Sequence, residues 1–153
     1  MSAYLWIKLL HILSATVLFG TGIGTAYFML RAYLSDKEAT MVETSKHVVA
    51  ADWLFTTPAV VIQLVTGLWL TSKLGIPYDS TWFRLVLGLY VFVGACWIPV
   101  VWIQIRVRNL LAKGAARNDY RHLMRTWILL GIPAFASVLV IFILMVSKYG
   151  VYS

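Results

Sequence analysis

Soluble-enzyme motifs are missing from this 153-residue sequence. Its one cysteine, Cys96, excludes an internal disulfide and any Cys-x-x-Cys or Cys/His zinc spacing. There is no Gly-rich phosphate loop, no Gly-x-Ser-x-Gly nucleophile motif and no pair of acidic residues inside one apolar run. Only 12% of the residues are charged, so almost no polar sequence is left for a water-soluble domain.

Apolar residues make up 61% of the chain. They form four long runs, each close to the ~20 residues that a helix needs to cross a bilayer core. The runs cover about residues 4–30, 49–71, 82–105 and 126–147. The first run is too long for a signal-peptide core and lacks a clear small-x-small cleavage site, so we interpret it as a retained helix. The sequence predicts an all-α fold, one polytopic membrane domain in which four transmembrane helices form an antiparallel bundle.

The net charge of +7 comes from basic residues that flank these runs. Nucleic acid binding is not expected, because the basic residues do not interleave with exposed aromatic residues. The segments after the first and third runs hold nine of them: Arg31, Lys37, Lys46, Arg106, Arg108, Lys113, Arg117, Arg121 and Arg125. The other side holds four: Lys8, Lys73, Arg84 and Lys148. The positive-inside rule therefore predicts a multi-pass inner (plasma) membrane protein with cytoplasmic loops 31–51 and 106–125 and both termini outside. The predicted partner of the basic face is the lipid bilayer, anionic lipid in particular.

Local signals predict where helices begin and bend. The Ser-x-x-Glu pattern at residues 35–38 is typical of a capping box and predicts the start of the second helix. Pro58 predicts a kink in that helix, and Pro133 predicts a bend in the last one. Residues 73–81 combine turn and helix-start signals, which predicts a tight antiparallel hairpin between the second and third spans.

His11 is the first candidate for a functional residue, because ionisable groups inside a span are costly and usually face the protein interior. It lies roughly 10 Å into the first span at 1.5 Å per residue, on a face shared with Lys8, Ala15 and Gly22. A neutral imidazole there suits an axial ligand of haem iron, and the two small residues leave room for a flat macrocycle. The alternative is a histidine that is hydrogen-bonded to a neighbouring helix.

A second axial ligand is not supplied by another histidine of this chain, because His47 and His122 lie on the opposite side of the bilayer. Met145, the equivalent histidine of a second subunit, or an open position remain as alternatives. Lys8 and Arg84 are placed to meet haem propionates, although both also fit simple interfacial side chains.

Small and polar residues indicate helix contacts as well. Gly20 and Gly24 form a Gly-x-x-x-Gly pattern that lets another helix approach closely, which predicts a homo-oligomer contact. Gln63 and Gln104 are interpreted as hydrogen-bonding residues between helices.

A second polar cluster is expected at the predicted cytoplasmic face. Asp52 lies about one turn inside the membrane and should be paired, protonated or exposed to a wet cavity. Pairing with Arg106 or Arg125 is the expected arrangement. A proton-relay role for Asp52, or a metal held by His47 and His122, are the alternatives.

Two sets of sequence motifs resemble known families. The first begins Leu5-Trp-Ile-Lys-Leu-Leu-His11-Ile-Leu and continues with Thr57-Pro-Ala-Val and Gly67-Leu-Trp-Leu70 ahead of Trp82. It resembles the start and second span of HemJ-type protoporphyrinogen oxidases.

The whole chain resembles more closely a family of predicted bacterial integral membrane proteins of unknown function. That similarity rests on residues 11–24, on 51–61, on Trp97-Ile-Pro-Val-Val-Trp-Ile-Gln-Ile-Arg106 and on Gly131-Ile-Pro-Ala-Phe. It covers nearly all four spans and implies no activity.

The HemJ-type resemblance implies haem b bound through His11, with oxidation of a porphyrinogen and electrons leaving toward quinone. The chain departs from that family in two places. The third span reads Gly94-Ala-Cys-Trp97 where the family has a polar or histidine-bearing span, and the last reads Leu129-Leu-Gly-Ile-Pro133 where the family has an Asn-Glu pair before the proline.

We therefore expect a membrane-integral haem b redox protein, active in electron transfer or in porphyrin-related oxidation, with a quinone or a porphyrin as partner. The alternative is a non-catalytic accessory or assembly subunit without a cofactor. A small permease or metal importer is a third hypothesis. The sequence disfavours it, because the spans contain no broken-helix site and no series of methionine and histidine residues.

Overall fold

Residues 2–147 are described by the computed structural model, and they fold into α-helices joined by short connections. Lys148 lies outside the described residues. The helices are α1 (Ala3–Leu34), α2 (Glu38–Ala51), α3 (Thr57–Lys73), α4 (Thr81–Leu111) and α5 (Arg117–Ser147). A π-helical segment, Asp52–Thr56, makes α2 and α3 one continuous rod of 36 residues. Four rods of the described chain are long and apolar enough to cross a membrane, which confirms the predicted all-α, four-helix membrane architecture.

The bundle is packed most tightly at one end, here called the basic end, where the α1–α2 and α4–α5 connections lie. α1 packs mainly on α3, α4 packs mainly on α5, and α2 contacts both α1 and α4. Side chains with almost no exposed surface fill the space between them at this end: Met29, Met41, Val107 and Met124. The apolar core at the basic end therefore holds the α1–α3 pair and the α4–α5 pair together.

Aromatic and hydrogen-bond contacts connect the helices nearer the other end. Phe19 of α1 stacks on Phe135 of α5 at 5.3 Å between ring centroids, and meets the edge of Phe142 at 5.4 Å. Trp82 at the start of α4 donates its indole N–H to the carbonyl of Leu144 at 2.8 Å. These contacts attach α1 and α4 to α5 on the side of the bundle away from the basic end.

A π-helical turn lies directly before Pro58, and the kink predicted at this proline stays a prediction. Proline has no N–H for the carbonyl four residues earlier, and the chain before it widens so that the Thr57 N–H bonds to the Asp52 carbonyl, five residues back. The Thr57 hydroxyl donates to the same carbonyl at 2.9 Å. Such π-helical turns are often found at functional sites, and this one places Asp52 at its first position.

The capping-box prediction is wrong. α2 begins at Glu38 after Lys37, which provides no side-chain cap. Ser35 instead ends α1, where its hydroxyl donates to the Ala32 carbonyl at 2.8 Å. Asp36 then adopts φ +57°, a left-handed conformation that aspartate tolerates better than most residues. The chain thus reverses in three residues, and the Ser35 oxygen accepts from the Lys37 N–H at 3.4 Å rather than from the Glu38 N–H that a capping box requires.

The other predicted boundaries compare well with the structure. α3 ends at Lys73 and α4 begins at Thr81, which confirms the short connection between the second and third spans. The predicted tight hairpin is wrong, because α3 packs mainly on α1 whereas α4 packs mainly on α5 and α2. The Ser80 hydroxyl caps α4 by accepting a hydrogen bond from the Phe83 N–H at 3.3 Å. α5 continues as one helix through Pro133, and the bend there stays a prediction.

The face of α1 that carries Gly20 and Gly24 is open. A Cβ added at either position would meet nothing within 4 Å, so no other described helix uses this face for close approach. Homo-oligomerisation through the Gly20/Gly24 face stays a prediction.

Candidate functional site

His11 is held between α1 and α3 by hydrogen bonds at both ring nitrogens. Nδ1 lies 2.8 Å from Thr66 Oγ1, and Nε2 lies 3.0 Å from Gln63 Nε2. The Ser14 hydroxyl, one turn along α1, donates to Gln63 Oε1 at 2.6 Å. We call these four side chains the His11 cluster.

The hydrogen bonds of the His11 cluster are consistent with one tautomer. The Ser14 hydroxyl has one proton and two acceptors within reach, Gln63 Oε1 at 2.6 Å and the His11 carbonyl at 2.9 Å. With the proton on the shorter contact, Gln63 accepts through its oxygen and its amide N–H donates to His11 Nε2. Nδ1 then carries the proton and donates to Thr66, whose own hydroxyl donates to the Ile62 carbonyl at 2.6 Å. The imidazole is thus fully satisfied by side chains of α3.

This arrangement does not fit an axial haem ligand. Iron needs a ring nitrogen without another partner, and both nitrogens of His11 face α3 side chains. α3 also closes against the ring edge, because a Cβ added to Gly67 would lie 3.2 Å from His11 Cε1. Ligation would require Gln63 or Thr66 to move away. Among the described residues, no group of three or more His, Cys, Asp or Glu could hold a metal ion.

The other residues predicted to hold haem lie apart from this cluster. Lys8 and Arg84 have exposed side chains, and Met145 is half-buried near the end of α5. Within residues 2–147, the structure gives none of the three a side-chain hydrogen bond or ion pair to His11. Their assignment to a haem site stays a prediction.

A cavity of about 100 Å³ lies in the middle of the bundle, beside the His11 cluster. All four rods contribute to its wall, which is mainly apolar, and its polar side chains are Thr56, Gln63 and Tyr90. The Tyr90 hydroxyl donates to the Val60 carbonyl at 2.7 Å and so ties α4 to α3 across the cavity. A space of this size with a few polar partners can hold a small number of water molecules.

Asp52 is a buried acidic residue, with 4% of its surface exposed. Its Oδ1 accepts a hydrogen bond from Thr56 Oγ1 at 2.9 Å, and Gln104 of α4 lies beside the carboxylate. Asp52 Oδ2 and Gln104 Oε1 are both buried without a hydrogen-bond partner in the described part of the chain. A buried acceptor left in this way costs about 1–3 kcal/mol, and a charged one costs more.

Neither predicted arginine pairs with Asp52. The ion pairs of residues 2–147 are Lys46–Glu43 and Arg117–Asp36. The Arg106 guanidinium lies 5.1 Å from the centroid of the Trp102 ring on an exposed face, and Arg125 is exposed. Arg106 comes two residues after buried Gln104, which turns it to the other side of α4. The expected polar cluster around Asp52 therefore does not form with these arginines.

Polar side chains follow one interior face of the second membrane-crossing rod. Spacings of four, seven and three residues separate the members of this polar stripe: Asp52, Thr56, Gln63 and Thr66. At 1.5 Å per residue the stripe extends over about 21 Å, or roughly two thirds of a 30 Å hydrocarbon core. Sequence analysis missed Thr56 and Thr66, although their helical spacing from Asp52 and Gln63 was a usable signal.

The substitution Gly67→Ala tests the close contact between α3 and His11. The new methyl group would press on Cε1 of the ring and lengthen its hydrogen bonds, so we expect the free energy of unfolding in detergent to fall by about 1–3 kcal/mol. Gly88→Ala is the matched control, because a Cβ there meets nothing within 4 Å. Equal stability of the two variants would contradict the contact.

Comparison with known proteins gives a family. Residues 5–149 match the family described as Predicted integral membrane protein (DUF2269). No curated protein and no solved structure matches the chain. The resemblance to HemJ-type oxidases and the bacterial origin stay predictions. Because the match extends over almost the whole sequence, the chain belongs to this family of integral membrane proteins of unknown function.

Proposed function

We propose that this integral membrane protein relays protons through the interior of its bundle, between His11 and Asp52. The observation that supports this function is the polar stripe, which has an imidazole at one end and a carboxyl group at the other. Intramembrane aspartate and histidine residues that face a bundle interior often belong to proton pathways.

The relay has a defined order of groups. Asp52 contacts Thr56 at 2.9 Å, Thr56 and Gln63 line the same cavity, and Gln63 contacts His11 at 3.0 Å. Hydroxyl groups and neutral imidazole both donate and accept hydrogen bonds, as a relay requires. Gln63 would pass a proton by gaining one at Oε1 while releasing one from Nε2 to His11, and the reverse exchange would restore the amide. Water in the cavity would complete the connection between Thr56 and Gln63.

Helix stabilisation alone explains only part of this arrangement. Hydrogen bonds between membrane helices contribute about 0.6 kcal/mol each on average, and the His11 cluster fits that role. Asp52 does not fit it, because a buried carboxylate without a cationic partner destabilises the fold by several kcal/mol. This difference favours a proton-handling function over a purely structural accessory subunit.

Proteoliposomes with a pH-sensitive dye inside test the relay. Under a potassium diffusion potential set by valinomycin, we expect proton entry through the wild-type protein. Asp52→Asn and Gln63→Leu should slow it by at least about tenfold, since a missing relay group raises the barrier by about 1.4 kcal/mol or more.

The control for this assay is Thr16→Val. Thr16 is exposed on α1, and its hydroxyl bonds only to the Ile12 carbonyl of its own helix, so flux should stay at the wild-type rate. Wild-type flux no faster than that of protein-free liposomes would rule out the relay.

Haem b binding through His11, with redox activity and a quinone or porphyrin partner, is the second candidate function. The half-buried position of His11 inside the bundle favours it; bound haem would supply a redox-active iron. Against it stand the two hydrogen-bonded ring nitrogens and the adjacent cavity of about 100 Å³, which is smaller than the roughly 300–1,000 Å³ of usual cofactor sites.

A reduced-minus-oxidised absorption spectrum of the purified protein decides between these candidates. We expect no b-type bands, because Thr66 and Gln63 occupy both ring nitrogens. His122→Ala, a substitution of an exposed histidine, serves as control. Bands that persist in His122→Ala and disappear in His11→Ala would establish the haem and overturn the expectation.

A further inference from the structure

We infer that the Tyr90 hydroxyl is the middle group of the proton relay, between Thr56 and Gln63. This inference deepens the proposed function and rests on it, because it names the protein group that connects the two halves of the polar stripe.

The polar stripe has a gap in its middle. Thr56 and Gln63 are seven residues apart on one rod, which is about 10 Å at 1.5 Å per residue. Hydrogen-bonded atoms lie about 2.8 Å apart, so water alone would have to form a file of about three molecules. The cavity wall there is mainly apolar, and the middle water of such a file would find no protein partner apart from Tyr90, whereas buried water usually makes about three hydrogen bonds.

Tyr90 places a hydroxyl group at the level of this gap. The hydroxyl donates to the Val60 carbonyl at 2.7 Å, and Val60 comes four residues after Thr56 and three residues before Gln63. All four residues line the same cavity. The hydroxyl therefore divides the gap into two parts of roughly 5 Å each along the rod, and one water molecule can bridge groups that far apart.

A phenol group at this position can pass a proton and return to its starting state. Its single proton is donated to the Val60 carbonyl, and the lone pairs of its oxygen can accept. For transfer, the O–H bond turns from Val60 toward the water beside Gln63 and releases its proton there, while the oxygen takes a proton from the water beside Thr56. One O–H bond breaks and one forms, so the group stays a neutral phenol. The reverse order moves a proton the other way.

A purely structural role, in which the hydrogen bond only ties α4 to α3, is the alternative to be separated. α4 has a second bond of the same kind, from the Trp82 indole N–H to the Leu144 carbonyl at 2.8 Å. Trp82 is not among the described residues that line the cavity. Trp82→Phe is therefore the matched control, because it removes a tie from α4 to a neighbouring rod and leaves the groups between Thr56 and Gln63 in place.

Proton flux into proteoliposomes under a potassium diffusion potential tests the role of Tyr90. We expect Tyr90→Phe to slow the flux by at least about tenfold, as for any missing relay group, and Trp82→Phe to leave it unchanged. Replacement of Tyr90 by 3-fluorotyrosine keeps a hydroxyl group and should restore the flux. A wild-type rate in Tyr90→Phe, or equal slowing in Tyr90→Phe and Trp82→Phe, would overturn the inference.

An infrared measurement separates this inference from the relay itself. The difference spectrum between wild-type protein and Tyr90→Phe isolates the C–O stretching band of the Tyr90 ring, which depends on whether the phenol donates, accepts or does both. We expect the band of a group that donates to Val60 and accepts from water. A donor-only band would overturn the role of Tyr90 even in a protein that conducts protons. A donor-and-acceptor band without wild-type flux would overturn the relay and leave the water contact at Tyr90 established.

Discussion

Lipid offers no hydrogen-bond partner to a polar side chain, and the interior of this bundle is arranged around that constraint. His11 meets it, because α3 supplies a partner at each ring nitrogen. Asp52 meets it only in part, because Thr56 satisfies one carboxylate oxygen and the other stays unpaired in the described chain. The contrast between a satisfied imidazole and an unsatisfied carboxylate separates the structural part of the interior from the part proposed to act on protons.

The polar stripe lies on the rod that contains the helix irregularity. Pro58 cannot continue the α-helical hydrogen bonds, and the π-helical segment before it contains both Asp52 and Thr56. The third hypothesis from the sequence, a permease, was disfavoured because no broken helix was visible. The π-helical segment is an irregular turn within one continuous rod and not a broken helix, and its Thr56 lines the cavity that also reaches Gln63.

The membrane fold could be predicted from the sequence because it depends on hydrophobicity and length, which are local properties. The short connection between α3 and α4 followed from its turn residues in the same way, but the packing of α3 on α1 and of α4 on α5 depends on contacts between distant parts of the chain. The capping box failed because Ser35 has two helix ends within reach, and only the folded chain shows that its hydroxyl serves α1. The pairing of Asp52 with Arg106 failed because charge alone does not say which face of α4 an arginine occupies.

The candidate site was predictable only in outline. His11 was identified as an interior residue, and hydrogen bonding to a neighbouring helix was one of its two interpretations. Its partners depend on the register between α1 and α3, which sets His11 against Thr66 and Ser14 against Gln63. That register cannot be read from one sequence, because the helix propensity and hydropathy of each helix stay the same when one helix slides along another.

Nitrogen-15 NMR of the His11 ring tests the central claim, that α3 holds this imidazole at both nitrogens. In a variant with His47→Gln and His122→Gln, His11 is the single labelled histidine of the chain. The account predicts a protonated Nδ1 and an unprotonated Nε2, with Thr66→Val shifting the Nδ1 resonance and Gln63→Leu shifting that of Nε2. Ring resonances unmoved by both substitutions, or broadened by a bound paramagnetic iron, would contradict it.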